Sequence, residues 1–294
     1  MKIVITGSLG NISSALATQL INQGHQVMVV SSNPEKAAEI TQLGAEAAIG
    51  SVTDESFLVD TFTSADLAYL MVPPHFAASN VREHIKTVGQ HYANAVKAVG
   101  VKKVVLLSSI GAHLDKGTGP IAGLHDVEQI FGELENIDLL TLRPAFFYNN
   151  FYANIDLIKH AGIIGSNYGA NQTIIMVDPK DIAAVAASKI DEGFTGSSIV
   201  YIASDKRRLS EVASALGTAI GKTDLPWIEF DDTQAYDGMV GAGLPPEMAR
   251  VYVEMGTAIR SEVLWEDFEA KGIVPAGKIK LEDFATEFAI AYNG

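Results

Sequence analysis

Apolar residues in the first half of the chain fall in short continuous runs, and between those runs they recur every three or four positions. The runs "KIVIT", "QVMVVSS", "AAIG", "DLAYLMV", "KKVVLLSS" and "IDLLTLRP" read as six strands. A run that is apolar at every position, rather than at alternate ones, suits a strand covered on both faces. That is the condition of a parallel sheet with helices on each side. Helical spacing fills the gaps over residues 11–22, in segments opened by "NPEKAAEI" and "TDESFLVDTF", and over residues 88–99 and 124–134. The pattern predicts an α/β fold, a doubly wound parallel sheet.

After Pro144 the rhythm changes to aromatic and Asn-rich loop character in "AFFYNNFYANI". A helix opened by "DPKDIAAVAASKI" and a strand "SIVYIAS" follow. Beyond residue 209 come helices at "LSEVASALGTAIG", "PPEMARVYVEMGTAI" and "LEDFATEFAIAY", with a strand at "PWIEF" between the first two. No Pro-, Gly- or Ser-rich linker and no repeat divides the chain. Residues 1–150 therefore read as the doubly wound domain. Residues 151–294 read mostly as a smaller C-terminal α/β lobe, with segments around 163–203 returning to the first domain.

Composition narrows the function. The chain has 294 residues, 48% of them hydrophobic and 19% charged, enough to bury a substantial core. A formal net charge of −14 opposes attraction to a phosphate backbone, so nucleic acid is not an expected partner. With no cysteine, disulfides, thiolate catalysis and Cys-based zinc sites are excluded. Apart from His125, the histidines, such as His84, His91 and His160, lack ligand-like spacing with carboxylates, and no metal site is expected. No apolar stretch approaches the ~18 residues of a membrane span, and no secretion signal pattern opens the chain. A soluble, cytoplasmic protein is the expectation.

Chemistry first enters at "VITGSLGNISS". Gly7, Gly10 and Ser13 follow an apolar strand and open a helix, the context in which a glycine pattern points to a dinucleotide. Gly7 allows the tight turn, and Gly10 lets backbone approach a pyrophosphate at the helix N-terminus. Gly7, Ser8, Leu9, Gly10, Asn11 and Ile12 are the candidate contacts. Ser13 takes the third small position, its hydroxyl expected to bond back to the carbonyl of Leu9. The second strand ends in "VVSSNPEK", without the carboxylate that would favour NAD(H). Ser31, Ser32, Asn33 and Lys36 suit a 2′-phosphate, which puts NADP(H) ahead of NAD(H). Asn33 and Pro34 read as N-cap and first helical residue, and a plain helix start explains them equally.

Three further strand ends belong to the same edge. Met71, Val72 and Pro73 follow the fourth strand and would lie near the adenosine half of a dinucleotide. Ser108 and Ser109 end the fifth, placed to bond ribose, nicotinamide or substrate. After the sixth, Pro144, Ala145 and Phe146 would run beside the nicotinamide. Phe146, Phe147, Tyr148, Asn149, Asn150 and Phe151 offer an apolar, partly amide-lined wall for a flat aromatic substrate. The same aromatic run also fits core between the two lobes. Asp181 reads as an acid in the first turn of its helix, favoured by the dipole.

"TGSLG", "NAVKAVGVKKVVLLSS", "LHDVEQIF", "IDLLTLRPAFFYNNF", "DPKDIAAVAA" and "SSIVYIAS" together resemble the NmrA-like branch of atypical short-chain dehydrogenases/reductases. The resemblance spans nearly the whole chain and is weakest beyond residue 209. It implies a Rossmann-type NAD(P)-binding domain, a small C-terminal lobe and a substrate cleft between them. It also implies either an NAD(P)H-dependent reductase of quinones or dyes, or a regulator that binds the nucleotide without turnover. Typical short-chain dehydrogenases pair a Tyr with a Lys four residues later, and no Tyr here has that Lys. In its place stand His125 and Glu128, one turn apart on a helix, matching the family's H-x-x-E and placed for the carboxylate to orient the imidazole. A surface His-Glu pair explains the same residues. Two functions follow as expectations: hydride delivery to a small aromatic, electron-poor acceptor, or redox sensing through a protein partner.

Overall fold

In the computed structural model, which describes residues 1–294, the apolar runs pair side by side as expected. The first half runs β1 (Lys2–Ile5), α1 (Ser13–Asn22), β2 (Gln26–Ser31), α2 (Lys36–Gln42), β3 (Glu46–Ile49), α3 (Glu55–Phe62), β4 (Leu67–Leu70), α4 (Val81–Val99), β5 (Lys103–Leu107), α5 (Ile121–Gly132) and β6 (Asp138–Pro144). The second half adds β7 (Phe146–Phe147), a 3₁₀ helix (Tyr148–Asn154), α6 (Ile155–Ala161), β8 (Ile164–Ser166), β9 (Thr173–Val177), α7 (Pro179–Glu192) and β10 (Ser197–Ile202). The main sheet has seven strands in the order β10-β6-β5-β4-β1-β2-β3, every neighbouring pair parallel. Strand order reverses between β1 and β4. Open α/β sheets bind ligands beyond the carboxyl ends of the strands at such a point.

Side-chain alternation along the buried strands sorts the core into two layers. Ile3 and Ile5 pack with Leu16 of α1 and Ile182 of α7 on one face, while Val4 packs with Leu58, Tyr92 and Val127 on the other. The helices α3, α4 and α5 cover that second face. α4 begins at Val81, seven residues before the expected start at 88: Val81 and Ile85 are buried and carry the helical spacing of Val88 backwards, and the Asn80 side chain caps the helix by accepting from the N–H of Glu83 at 3.0 Å. α5 likewise starts at Ile121 rather than 124.

The rest of the chain comprises β11 (Asp205–Arg208), α8 (Leu209–Ala219), β12 (Trp227–Glu229), α9 (Asp232–Gly241), α10 (Pro246–Arg260), α11 (Glu266–Ala270) and α12 (Leu281–Asn293). Of the 163–203 region, α7 packs on α1 and β10 joins the main sheet, whereas β9 pairs with β7 and β11, and β8 with β12. No helix is long and apolar enough to cross a membrane.

The aromatic run after β6 closes the seam between sheet and C-terminal lobe. Tyr148 and Phe151 are fully buried. The Tyr148 ring stacks on Phe284 of α12 at 5.3 Å, its hydroxyl bonds Asp205 at 3.2 Å, and Phe151 meets Trp227 edge-on. These two residues are core, not substrate wall, because their surface is already spent on Phe284 and Trp227. Asp181 is also buried. It accepts from Ser204 Oγ at 2.7 Å and from the N–H of Ile279 at 3.1 Å, which pins the C-terminal segment and goes beyond a helix-dipole role.

The loop between β5 and α5 lies hard against α10 at Gly119, where φ is +60° and an added Cβ would sit 2.1 Å from the carbonyl oxygen of Val251. Gly24 shares the positive φ, at +85°, but has open space around it. Gly119→Ala is expected to cost roughly 2–4 kcal/mol, strain plus backbone overlap. Gly24→Ala carries the strain alone, about 1–2 kcal/mol. Urea unfolding of the two variants checks the difference.

Candidate dinucleotide and substrate site

The glycine loop sits at the switch point, between the tips of β1, β2 and β4. Thr6 ties two of those tips together: its N–H donates to the carbonyl of Tyr69 at 3.0 Å, and its Oγ1 accepts from the N–H of Met71 at 2.8 Å. Tyr92 donates to the Met71 carbonyl at 2.8 Å from α4. Gly7 turns over this clamp with φ +95°, and a Cβ there would lie 2.8 Å from both the Met71 side chain and Ser13 Oγ. The Ser13 hydroxyl does not bond the Leu9 carbonyl as expected. It reaches across the loop to the carbonyl of Thr6 at 2.9 Å, because Ser13 opens α1 and faces the end of β1. A hydroxyl thus bridges helix and strand where a glycine would let them touch.

The loop is equipped for an anion. α1 has no side-chain cap at Ile12, and the N–H groups of Leu9, Asn11 and Ile12 donate to no protein acceptor. Free N–H donors at an uncapped helix start fit a pyrophosphate. The residues present therefore fit the dinucleotide that the glycine pattern implies.

At the tip of β2, Ser8 holds a left-handed φ of 54° and donates to Ser31 Oγ at 2.9 Å. Ser31 is buried, and its oxygen also takes the N–H of Asn33 at 3.2 Å. Asn33 in turn accepts from the N–H of Glu35 at 3.0 Å, but Pro34 lies in a turn and α2 starts two residues later, at Lys36. Ser31 therefore shapes the turn, leaving Ser32 and Asn33 exposed and Lys36 half-buried around it. Lys36 Nζ bonds Glu39 at 2.8 Å, an exposed i,i+3 pair.

The ends of β5 and β6 hold a charged cluster that the sequence reading did not assemble. Arg143, on β6, grips Glu128 of α5 with two hydrogen bonds, Nε to Oε1 at 2.9 Å and Nη2 to Oε2 at 2.6 Å. Both side chains are nearly buried, 7% and 8% exposed. Ser108 donates to the same Oε1 at 2.5 Å. Arg143 Nη1 donates to the hydroxyl of Tyr201 on β10 at 2.8 Å, and Tyr201 donates to Asp267 of α11. Burial opposes the charge on Arg143, but its bonds to Glu128 and Tyr201 more than offset it, and its pKa is raised. Burial, reinforced by Asp267, pushes the Tyr201 phenol up to about 12. Lys271 and Tyr201 hold Asp267 below the usual carboxylate range. An Arg inside an otherwise apolar strand was the signal that such a partner existed.

Glu128 therefore does not orient His125. The two side chains leave α5 in different directions, and His125 Nδ1 lies 2.9 Å from the carbonyl of Ala112. A carbonyl only accepts, so Nδ1 carries a hydrogen and the ring presents Nε2. His113, in the same loop, has both ring nitrogens buried without a partner, and burial lowers its pKa. Ala145 is buried beside β10, its N–H bonded to the carbonyl of Ile202, and Pro144 accepts from the N–H of Ile110 at 2.8 Å. Phe146, Phe147 and Asn149 are half-buried, as are Val72 and Pro73 beyond β4. Among the expected residues, the structure gathers those at the ends of β1, β4, β5 and β6 on one edge of the sheet and withdraws Tyr148 and Phe151 from it.

Residues 7–150 match a family model described as NAD(P)H-binding. A protein of Bacillus subtilis described as the uncharacterized oxidoreductase YesF is 25% identical over 264 residues, 87% of this chain and 84% of that one. Among solved structures, the triphenylmethane reductase of Citrobacter sp. complexed with NADP(H) is 20% identical with a TM-score of 0.79, covering 98% of this chain and 99% of the other. An NADPH-dependent quinone oxidoreductase of Escherichia coli complexed with NADPH has a TM-score of 0.75 at 19% identity, covering 97% and 99%. At these identities the likeness establishes the Rossmann-like fold. Motif, topology and family model coincide on one segment, residues 7–150, over which the chain is similar to NAD(P)H-binding domains.

Proposed function

We propose that the protein is an NAD(P)H-dependent oxidoreductase that delivers hydride to a small, flat, electron-poor acceptor of the quinone or dye class. The observation that carries this reading is the commitment of Glu128 to Arg143, in a chain without a Tyr-Lys pair. Alcohol oxidation and sugar epimerisation require a strong acid or base at the reacting oxygen. Reduction of an electron-poor ring depends mostly on orientation. Bound reduced nicotinamide supplies the hydride. The loop residues Gly7 to Ile12 hold the pyrophosphate, Met71, Val72 and Pro73 flank the adenosine half, and Pro144, Ala145 and Phe146 flank the nicotinamide. Phe147 and Asn149 bound the acceptor. His125 presents Nε2 as the ring atom free to exchange a proton with it. The Citrobacter and Escherichia coli proteins, named for dye and quinone reduction, support the acceptor class.

NADP(H) is the preferred cofactor in this reading. The tip of β2 has no carboxylate to take the ribose hydroxyls, and Ser32, Asn33 and Lys36 surround the place of a 2′-phosphate. The Lys36 to Glu39 pair is exposed and weakly held, so a phosphate competes for the ammonium at little cost. A second reading, a nucleotide-responsive regulator that acts through a protein partner, draws on the same shortage of acid-base groups.

Mixing the protein with NADPH or NADH and a panel of quinones and triphenylmethane dyes separates the two, with nicotinamide absorbance as the readout. Turnover of at least one acceptor is expected; cofactor binding without any turnover selects the regulator. His125→Ala is expected to lower turnover about tenfold or more, and an unchanged rate removes His125 from the chemistry. Lys36→Ala is expected to weaken NADPH about three- to tenfold while leaving NADH unchanged. Equal effects on the two would overturn the phosphate assignment.

A further inference from the structure

The geometry points to Ser108 as an obligate hydrogen-bond acceptor at the nicotinamide end of the site, selecting a ligand group that carries N–H or O–H. It follows from the way one hydrogen is spent. Ser108 succeeds the last residue of β5, and its N–H is fixed to the carbonyl of Leu142 at 2.8 Å. Its side chain has a single hydrogen and two lone pairs. Arg143 clamps both oxygens of Glu128, and a guanidinium only donates, so the carboxylate can only accept from its remaining neighbour. That neighbour is Ser108, which donates to Oε1. No protein group donates to Ser108 Oγ in return.

The ligand atom that meets this oxygen must therefore bring the hydrogen. A quinone carbonyl or a phosphate oxygen placed there would face lone pairs, and such a contact forfeits a hydrogen bond and the solvation of both groups. Two sources supply a donor: the carboxamide N–H of nicotinamide, and a hydroxyl such as that of a hydroquinone product. Arg143 and Glu128 are positioning residues in this scheme, acting through Ser108. The inference rests on the proposed placement of the dinucleotide across the strand ends, and binding measurements test it without any turnover.

Dissociation constants would be measured by fluorescence titration for NADPH and for its acetylpyridine analogue, in which a methyl group replaces the carboxamide nitrogen. The wild-type chain is expected to bind NADPH about five- to tenfold tighter than the analogue. Ser108→Ala, which keeps the Arg143 to Glu128 pair, is expected to bring that ratio near one by weakening NADPH alone. The 2′-phosphate form of ADP-ribose, which lacks nicotinamide, should bind both proteins equally. If the ratio persists in Ser108→Ala but hydroquinone binding weakens relative to quinone, the donor is the hydroxyl and the inference stands. A Ser108→Ala that weakens quinone more than hydroquinone, or alters neither ratio, overturns it. Failure of the ADP-ribose fragment to compete with NADPH instead overturns the placement of the dinucleotide.

Discussion

The buried pair between Arg143 and Glu128 is the constraint around which the site is arranged. Moving two charges out of water costs several kcal/mol each, roughly, and their attraction recovers that only with near-ideal geometry and every remaining polar atom satisfied. Here the geometry is bidentate, Ser108 uses the carboxylate's spare capacity, and Tyr201 takes the third guanidinium bond. An apolar pair of similar volume would fold as well. What ions add is exact direction. The cluster joins the ends of β5 and β6 to α5, and through Tyr201 and Asp267 it joins β10 to α11. The ends of β5, β6 and β10 and the lobe that carries α11 are thereby held in one register.

A second clamp organises the other half of the edge. Thr6 draws the tips of β1 and β4 together, and the Met71 side chain that follows fills, with the Ser13 hydroxyl, the space a Cβ at Gly7 would need. No side chain fits at Gly7, so the backbone itself forms the floor of the loop. Ser13 shows why the third small position tolerates a hydroxyl: the oxygen replaces close helix-to-strand packing with a hydrogen bond to the Thr6 carbonyl. The loop keeps its free N–H groups because neither clamp consumes them.

The sheet was legible because burial on both faces writes itself into sequence as unbroken apolar runs such as "KKVVLLSS", and the order of segments left few topologies. The start of α4 was legible but faint: Val81 and Ile85 extend the helical spacing of Val88 and Tyr92 backwards, though the charged residues between them break up the apolar signal, and the Asn80 cap fixes the first residue. β7, β8 and β12 are two or three residues long and exist only through pairing with distant segments. In the site, the glycine loop could be read as a local motif. The role of Glu128 could not, because its partner comes from a strand 15 residues away in the chain. Tyr148 and Phe151 were ambiguous for the same reason: an aromatic run looks alike whether it lines a cleft or fills a seam.

His125 and Glu128 illustrate how helical spacing differs from contact. Residues three apart on a helix share a face, but each side chain follows whatever its own neighbouring element offers. Glu128 turns to a guanidinium that would otherwise be buried unpaired, at a cost far above the worth of a His-Glu pair on a helix surface. His125 turns to the Ala112 carbonyl, in the loop that also carries Ser108 to its strand end. The stronger demand decides, and it divides the two residues between tasks. One fixes the direction of a hydroxyl; the other keeps a single ring nitrogen outside the protein's own hydrogen bonds.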